Sequence, residues 1–377
     1  MLIALMVMSA LLALAGVLIL TDAGQLFRIG KKFLVFYFRF HKWIMVLSIT
    51  LFVVAIFLNT KQNVLQNWMI AIFGAFLAGC FLATKYLAPY MIFRAKQRTA
   101  VYKSIPEVEA DDYLQSKDTV YVIDYNGVTR AFPQKNLWVS HIFGGDYGGD
   151  EVVLTYCVLT NLPVPYVNDL EGKPMELKVL AQTNNNLLLW DTKSGEIIQQ
   201  ITNTCELSRR KLEPLPLVEM TWKAFQELFP DGEVLYNPLR NPMEKLLNKL
   251  MPLEVAHSGE NWMFKTVDLK DDRLPSKEKV IGIKDGTDAK AYTRDYLVKN
   301  GIINTKVGDK SIAIAHIPEH DLFVGFDRMK DGQEIEVTDV DVFGDTREHG
   351  RLNRTFIYNG PMWAVWRHFH PDTELFQ

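Results

Sequence analysis

A cysteine and a histidine mark the stretch of this sequence with the clearest potential for chemistry. Cys157 comes near the end of EVVLTYCVLT (151–160), an apolar run typical of a buried strand, and His141 precedes a Gly-rich turn, GGDYGG (144–149). The segment between them is long enough for a turn and a returning strand, so the two side chains can meet. The imidazole would then activate the thiol as a nucleophile. The alternative is that the cysteine is a small apolar core residue.

Two further histidines widen the set to a candidate metal site. His316 and His320 stand in HIPEH, where Pro318 favours strand and turn over helix, so a helical HEXXH zinc site is a poor interpretation. If two similar halves pack face to face, His141, Cys157, His316 and His320 converge. Their nitrogen and sulfur atoms would form a mixed site of the kind that zinc or copper accepts.

Short strands with turn signals must position these residues. TVYVIDYNGVTRAF predicts a hairpin through Asn126-Gly127, and EVVLTYCVL, MELKVLAQT and NLLLWDT predict further strands. MTWKAFQELFP predicts a short amphipathic helix that ends at Pro230 and Gly232, and NPMEKLLNKL predicts another. The fold class is therefore α+β, with a β-rich soluble part.

Self-similarity indicates an internal repeat in this β-rich part. Residues 119–149 align with 279–308, with Gly149 matched to Gly308, and this alignment places His316 in the position of the cysteine. The segment TWKAFQELFPDGEVL also resembles MWAVWRHFHPDTELF near the end of the chain. Two copies of one unit, each closed by an aromatic helix, are the simplest interpretation.

The N-terminal quarter has a different texture. Uncharged runs at 2–21, 43–60 and 63–84 are each long enough to cross a bilayer. A signal peptide is the alternative for the first run, but a basic start is lacking and further long apolar runs follow. The basic, aromatic-rich stretch between residues 28 and 42 suits the lipid headgroup region.

The sequence thus predicts four segments. They are a transmembrane region at 1–98 with helices at about 2–21, 43–60 and 66–84, a first β-rich repeat at 99–235, a connector at 236–277, and a second β-rich repeat at 278–377.

The charge distribution constrains the partners and the topology. Residues 1–98 carry a net charge of +9, so residues 99–377 carry −12 of the total of −3. An acidic soluble part has the wrong sign for a phosphate backbone, so we expect no nucleic acid partner, and membrane lipids around the helices instead. Five basic residues in the first loop and four after the third helix, against Lys61 alone in the second loop, place the soluble part in the cytoplasm. The three cysteines form no disulfide framework.

The order of motifs resembles an uncharacterised prokaryotic family, the domain of unknown function 3179, over about residues 105–377. The motifs that carry the resemblance are AFPQKNLWVSHIFGGDYGG, LTYCVLT, LLLWDTKSGEIIQQ, TWKAFQELFPDGEVL and RLPSKEKVIGIKDGTDAKAY. The resemblance implies a fold rather than an activity. It also implies an extracytoplasmic alternative for the soluble part, because many relatives look like exported proteins.

The family pattern also bears on the metal hypothesis. Where that pattern reads TYCPLC, this sequence has Val158 and Thr160 in place of the proline and the second cysteine. Leu189 and Ile198 stand where the pattern has methionine and tryptophan. A Cys–Cys–His–Met cluster would suit Cu(I), and this chain has lost two of those ligand types.

Ligand-binding candidates complete the set. They are Asp146 in the Gly-rich turn, Asn184 before LLLWD, and Asp191 and Gln200, which the family pattern retains. Turn and strand-end roles are the alternative for Asn184, Asp191 and Gln200.

The expected function is a membrane-anchored binding or sensing module with a small-ligand or metal site between the repeats. The alternative is a cysteine-dependent enzyme that uses Cys157 and His141.

Overall fold

The computed structural model describes residues 1–21, 23–239, 242–250, 252–259, 262 and 264–377. The helices are α1 (Leu2–Leu20), α2 (Ala23–Leu26), α3 (Lys31–Gln62), α4 (Asn67–Tyr86), α5 (Pro89–Ile92), α6 (Ile105–Ala110), α7 (Trp222–Leu228), α8 (Pro242–Leu250), α9 (Leu253–His257), α10 (Arg294–Asn300) and α11 (Trp363–Phe369). The strands are β1 (Tyr102–Ser104), β2 (Thr119–Tyr125), β3 (Val128–Pro133), β4 (Ile142–Tyr147), β5 (Asp150–Cys157), β6 (Leu162–Val167), β7 (Leu177–Thr183), β8 (Asn186–Asp191), β9 (Ile197–Gln199), β10 (Thr204–Cys205), β11 (Val218–Thr221), β12 (Glu233–Leu235), β13 (Lys279–Asp285), β14 (Asp288–Thr293), β15 (Ile302–Val307), β16 (Lys310–Ile317), β17 (Leu322–Asp327), β18 (Met329–Lys330), β19 (Gln333–Glu334), β20 (Asp345–Thr346), β21 (Gly350–Arg351), β22 (Arg354–Thr355), β23 (Tyr358–Met362) and β24 (Glu374–Phe376).

Three helices, α1, α3 and α4, are long and apolar enough to cross a membrane. Two of them match the predicted spans, whereas α3 begins well before the predicted residue 43. The basic, aromatic stretch expected at the headgroups forms its first three turns. No Gly or Pro interrupts Lys31–Gln62, so the helix continues without a break from its N-cap at Gly30. Its 32 residues extend about 48 Å, more than the ~30 Å hydrocarbon core requires.

Reciprocal hydrogen bonds fix α1 against α3. The Ser9 hydroxyl donates to the Ser48 carbonyl at 2.7 Å, and the Ser48 hydroxyl donates to the Ser9 carbonyl at 2.8 Å. Both serines are buried in the bundle. Such bonds contribute to helix association in a lipid environment, where apolar contact alone gives little preference for a partner helix.

The rest of the chain is β-rich and consists of several small sheets in a propeller-like arrangement. The strand orders are β1-β12-β3-β2-β11, β4-β5-β6, β10-β9-β8-β7, β23-β13-β14-β24 and β15-β16-β17-β22, with two-stranded ribbons β18-β19 and β20-β21. The pairing is antiparallel except where β12 joins β3 and β24 joins β14. The predicted hairpin at Asn126-Gly127 is confirmed, since both residues have positive φ, as a type I′ turn requires.

Strand positions recur along the chain. Each strand from β13 to β17 begins 160 residues after its counterpart among β2 to β6. This spacing shifts the sequence alignment by one residue, so that Gly308 corresponds to Gly148. The last residue of β5 is Cys157, and the last residue of β16 is Ile317 rather than His316. The error arose because two consecutive glycines occupy the first turn and one occupies the second.

The largest apolar core joins residues from both halves of the β-rich part. Trp363 and Trp366 of α11 are fully buried in it, and Trp222 of α7 is buried in a second core, also shared by both halves. Gly282 is required by this packing, because a Cβ there would lie 2.4 Å from Cη2 of Trp366.

The sheet that contains β7, β8 and β9 packs against the N-terminal apolar helices. Phe38 of α3 packs edge-on against Trp190 of β8 with ring centroids 5.0 Å apart. Lys31 of α3 forms an ion pair of 2.7 Å with Glu206. Leu180 and Leu188 are buried in the same cluster. The β-rich part therefore lies beside the end of α1 and the start of α3.

Candidate functional site

Cys157 lies at the end of β5 in a buried polar environment. Its Sγ is 3.5 Å from Oε1 of Gln182 and 3.7 Å from the Asn185 carbonyl, and it accepts a hydrogen bond from the Thr160 hydroxyl at 3.4 Å. Burial raises the pKa of the thiol, because the thiolate would lose its hydration. At neutral pH the Cys157 side chain is therefore a protonated thiol.

His141 lies opposite Tyr156, the residue that precedes Cys157 in β5. Its backbone carbonyl accepts from the Tyr156 N–H at 2.7 Å, and its Nδ1 donates to the Tyr156 carbonyl, also at 2.7 Å. The ring packs edge-on against Phe93, and burial lowers its pKa to about 4. In the described part of the chain, no hydrogen bond joins the imidazole to the Cys157 thiol. His141 is thus a neutral group whose Nδ1 proton is engaged by the backbone.

A network of buried amides and hydroxyls surrounds the thiol. Asn186 Nδ2 donates to Thr160 Oγ1 at 3.1 Å and to Gln200 Oε1 at 3.2 Å. Gln200 Nε2 donates in turn to Thr155 Oγ1 at 3.0 Å. Gln200, a predicted ligand-binding residue, is fully buried in this network. Its amide joins the β5–β6 hairpin to the β8–β9 strands, which is a structural use of its hydrogen bonds.

The connector covers this network. Asn185 Nδ2 donates to the Phe264 carbonyl at 2.8 Å, and His257 Nε2 lies 2.8 Å from the Val158 carbonyl in the turn that follows Cys157. The predicted helix in the connector is confirmed as α8, except for Asn241, which lies outside the described residues. The connector, for which the sequence predicted only one helix, therefore helps to exclude solvent from the thiol.

The other predicted ligand residues lie in turns or on the surface. Asp191 accepts from the backbone N–H groups of Glu176 at 2.8 Å, Lys193 at 3.2 Å and Ser194 at 3.1 Å, so it fixes the β8–β9 turn. Asn184 is a turn residue with φ of +49°, and Asp146 is exposed. Asp191 and Asn184 thus have contacts or backbone conformations typical of turn residues.

The predicted metal residues make contacts with different partners. His316 Nε2 lies 3.1 Å from Asp321 Oδ1, and His320 Nδ1 lies 3.6 Å from Glu227. Neither contacts the residues around His141 or Cys157. Within the described residues, no group of three or more His, Cys, Asp or Glu side chains is placed to hold a metal ion.

A cleft between the two halves of the β-rich part is lined by lysines, whereas no charged side chain contacts the Cys157 thiol in the described part of the chain. It encloses about 90 Å³, and Lys211 of the first half and Lys284 and Lys310 of the second line it. We call it the inter-half cleft. Its other lining residues are Thr202, Asn203, Leu212, Glu213, Pro214, Ile283, Asp285, Gly286, Ile312, Thr355, Phe356 and Tyr358.

Lys284 is the central charge of the inter-half cleft. It is half-buried, and its Nζ donates to the Thr202 carbonyl at 3.0 Å. Burial first, and then the positive charges of Lys211 and Lys310, lower its pKa to about 8. At neutral pH the amine is therefore still mostly protonated, in a place where its charge is poorly compensated.

The two acids of the cleft, Glu213 and Asp285, offset part of this positive charge. Glu213 lies 3.6 Å from Lys310 Nζ, and Asp285 Oδ2 accepts from the backbone N–H of Asp309 at 2.9 Å. Polar groups also hold the floor in place, since Asn203 Nδ2 donates to the Tyr358 hydroxyl at 2.6 Å. The cleft thus presents an excess of positive charge on a fixed frame.

Comparison with known proteins identifies the family. Residues 99–373 match the family model described as protein of unknown function (DUF3179). The chain belongs to the DUF3179 family. No curated protein and no solved structure matches it.

For this DUF3179 member, the sequence led us to expect a site between the repeats but not the lysines of the inter-half cleft. Its three lysines come from separate segments, after β10, in β13 and at the start of β16. No motif joins them, and lysines at strand ends are ordinary surface residues. The self-similarity of the sequence was the one useful signal, because a site between two similar halves is lined by residues from both.

Proposed function

We propose that this DUF3179 protein is a membrane-anchored binding module that holds a small anionic ligand in the inter-half cleft. The observation that carries the proposal is the position of Lys284, half-buried between two other lysines and, among the described residues, in no ion pair with a carboxylate. A volume of about 90 Å³ corresponds to roughly three water molecules at ~30 Å³ each. That size suits a small anion, or the anionic end of a larger ligand.

The physical reason for an anion is the unfavourable state of the free site. Like charges and partial burial both disfavour the Lys284 ammonium, which its lowered pKa expresses. An anion would relieve the repulsion among the three lysines and replace the lost hydration. Lysine side chains bind carboxylates and phosphates as point charges, so both classes fit.

Thermal unfolding of the full chain in detergent tests the proposal, with inorganic phosphate, acetate and neutral glycerol as probes. Low concentrations and matched ionic strength are needed because phosphate stabilises proteins generally when concentrated. We expect phosphate or acetate, but not glycerol, to raise the unfolding temperature. Thr355→Trp, which fills the cleft, should abolish the effect, and exposed Thr338→Trp should preserve it. Equal stabilisation of both variants, or none of the wild type by either anion, would refute the proposal.

A ligand site between halves accords with a second proposal, that the halves are copies of one unit. It is supported by the constant spacing of 160 residues and by the shared strand orders β12-β3-β2-β11 and β24-β14-β13-β23. In each half, an aromatic helix precedes a strand that pairs in parallel, β12 with β3 and β24 with β14. Superposition in an experimental structure tests this, and a different strand order in either half would contradict it.

We also propose that the three apolar helices anchor the protein in a membrane with its β-rich part in the cytoplasm. The contacts of Lys31 and Phe38 support placing the β-rich part on the same side as the two basic flanks. The excess of Lys and Arg on that side favours the cytoplasm, at about 1 kcal/mol per residue near an anionic surface.

Cysteine labelling in intact cells tests the orientation. The native cysteines are buried, so an impermeant thiol reagent has little background. Gln333→Cys, exposed in the β-rich part, should react only after the cells are permeabilised. Gln62→Cys, exposed at the opposite end of α3, should react in intact cells. The reverse pattern would place the β-rich part outside, the alternative that the family resemblance implied.

A further inference from the structure

A second cavity lies where the membrane helices meet the β-rich part. It has a volume of about 320 Å³ and is lined by residues 90–91, 94–95, 97–99 and 176–178. We call it the junction pocket. It begins four residues after Tyr86, the last residue of α4, and α5 and the start of β7 form its walls. Its size is within the range of small-molecule sites, ~300–1,000 Å³.

The junction pocket combines a basic wall with an apolar one. Arg94, Arg98 and Lys178 supply the positive charge. Glu176 is the only acid in the lining, and its 3.8 Å pair with Arg98 is largely exposed, so it offsets little of that charge. Met91 and Ala95, both half-buried, supply the apolar surface.

The surroundings place the pocket at the depth of lipid headgroups. Tyr90 lines it and packs edge-on against Trp190 at 6.1 Å, and Trp190 meets Phe38 of α3. Aromatic side chains of this kind concentrate at the membrane–water interface. Basic groups immediately beyond a membrane helix are the arrangement that binds anionic headgroups.

From this geometry we infer that the junction pocket binds the phosphate headgroup of an anionic phospholipid. Arg94, Arg98 and Lys178 contact the phosphate, and Met91 and Ala95 contact the glycerol and the first carbons of the acyl chains. A soluble anion would leave that apolar wall unused. The inference is independent of the inter-half cleft and rests only on the membrane anchoring proposed above.

Lipid retention by the full chain tests the inference. The detergent-solubilised protein is incubated with equal amounts of phosphatidylglycerol and phosphatidylcholine, purified again, and its bound lipid measured by mass spectrometry. We expect enrichment of phosphatidylglycerol. The double variant Arg94→Gln, Arg98→Gln should lower that enrichment by an order of magnitude or more, from about fivefold for each basic residue removed. An excess of inorganic phosphate should leave it in place.

Two further variants separate the pocket from general basic charge. Met91→Trp keeps every charge but fills the cavity, and it should also reduce the enrichment. The double variant Arg347→Gln, Arg351→Gln, at exposed positions far along the chain, should not. Unchanged unfolding temperatures show that the variants are folded.

The opposing outcomes are distinct. Equal retention of the two lipids by the wild type, or an equal loss in the Arg347 and Arg351 variant, overturns the inference and leaves the anchoring intact. Displacement of the lipid by inorganic phosphate also overturns it, since the site would then belong to a soluble anion. A chain found in the soluble fraction without detergent overturns the anchoring and the lipid site together.

Discussion

Replacing Lys284 by methionine should stabilise the protein at neutral pH. The pKa of this lysine is lowered from 10.5 to about 8 by burial and by the charges of Lys211 and Lys310. A shift of this size corresponds to about 3 kcal/mol, at ~1.4 kcal/mol per unit, by which the folded state disfavours the charged amine. Loss of the hydrogen bond to the Thr202 carbonyl removes about 1 kcal/mol of that gain. The expected net stabilisation is about 2 kcal/mol.

The pH dependence follows from the sign of the shift. The folded state releases the proton of Lys284 near pH 8, whereas the unfolded state keeps it until about 10.5. Between these values the unfolded state binds more protons, so the wild type gains stability as the pH rises. The destabilising effect of the charge is complete below pH 8 and disappears above 10.5. The advantage of the methionine variant should therefore shrink over the same interval.

Thermal unfolding of both proteins at pH 7 and at pH 10.5 measures this difference. At roughly 2–4 °C for each kcal/mol in domains of 150–250 residues, we expect the variant to unfold about 5 °C higher at pH 7. At pH 10.5 the charge penalty has almost disappeared while the lost hydrogen bond remains, so the variant should unfold slightly below the wild type. Lys299→Met, an exposed change in α10, should have no effect at either pH. An advantage of equal size at both pH values would show that the charge of Lys284 is not the cause.

Three further outcomes test the packing. Gly282→Ala should destabilise the protein by about 1–3 kcal/mol in chemical denaturation, because the new Cβ meets the Trp366 ring at 2.4 Å; an unchanged midpoint would contradict that packing. Cys157 should not react with Ellman's reagent at pH 7.5 in the native protein and should react after unfolding, since its thiol is buried with a raised pKa; rapid native labelling would revive the nucleophile hypothesis. Trp190→Ala should loosen the contact with Phe38 and speed limited proteolysis between the helices and the β-rich part, whereas an unchanged cleavage rate would show that this contact is dispensable.

Local chemistry explains which parts of the fold were predictable. The Asn126-Gly127 turn needs positive φ at two consecutive residues, a requirement that those two residue types meet readily. The three apolar helices were predictable because about 20 uncharged residues have few other uses. The start of α3 was not, because basic and aromatic residues suit both a headgroup segment and a helix that leaves the membrane. Packing of Phe38 on Trp190 decides between them.

The candidate sites depend on contacts between segments that are distant in the chain, and such contacts are difficult to predict from the sequence. Cys157 and His141 are close in the chain and chemically distinctive, so they attract attention, yet burial makes one a thiol and the other a neutral imidazole. Lys284 is an ordinary lysine until β13 places it beside Lys211 and Lys310. Residue type indicates what a side chain is able to do, whereas the fold decides which charges it faces.

The family pattern gains a physical meaning from Thr160. The family pattern that the sequence resembles would place a second cysteine at this position, and here the Thr160 hydroxyl lies 3.4 Å from Cys157 Sγ and 2.5 Å from the Asn185 carbonyl oxygen. The position is therefore close enough to Cys157 for the two side chains to act together. In this chain the Thr160 hydroxyl occupies the position and completes a hydrogen-bonded network, so the residue at this position stabilises the fold. The inter-half cleft, where three lysines face two carboxylates, is then the better candidate for a ligand site.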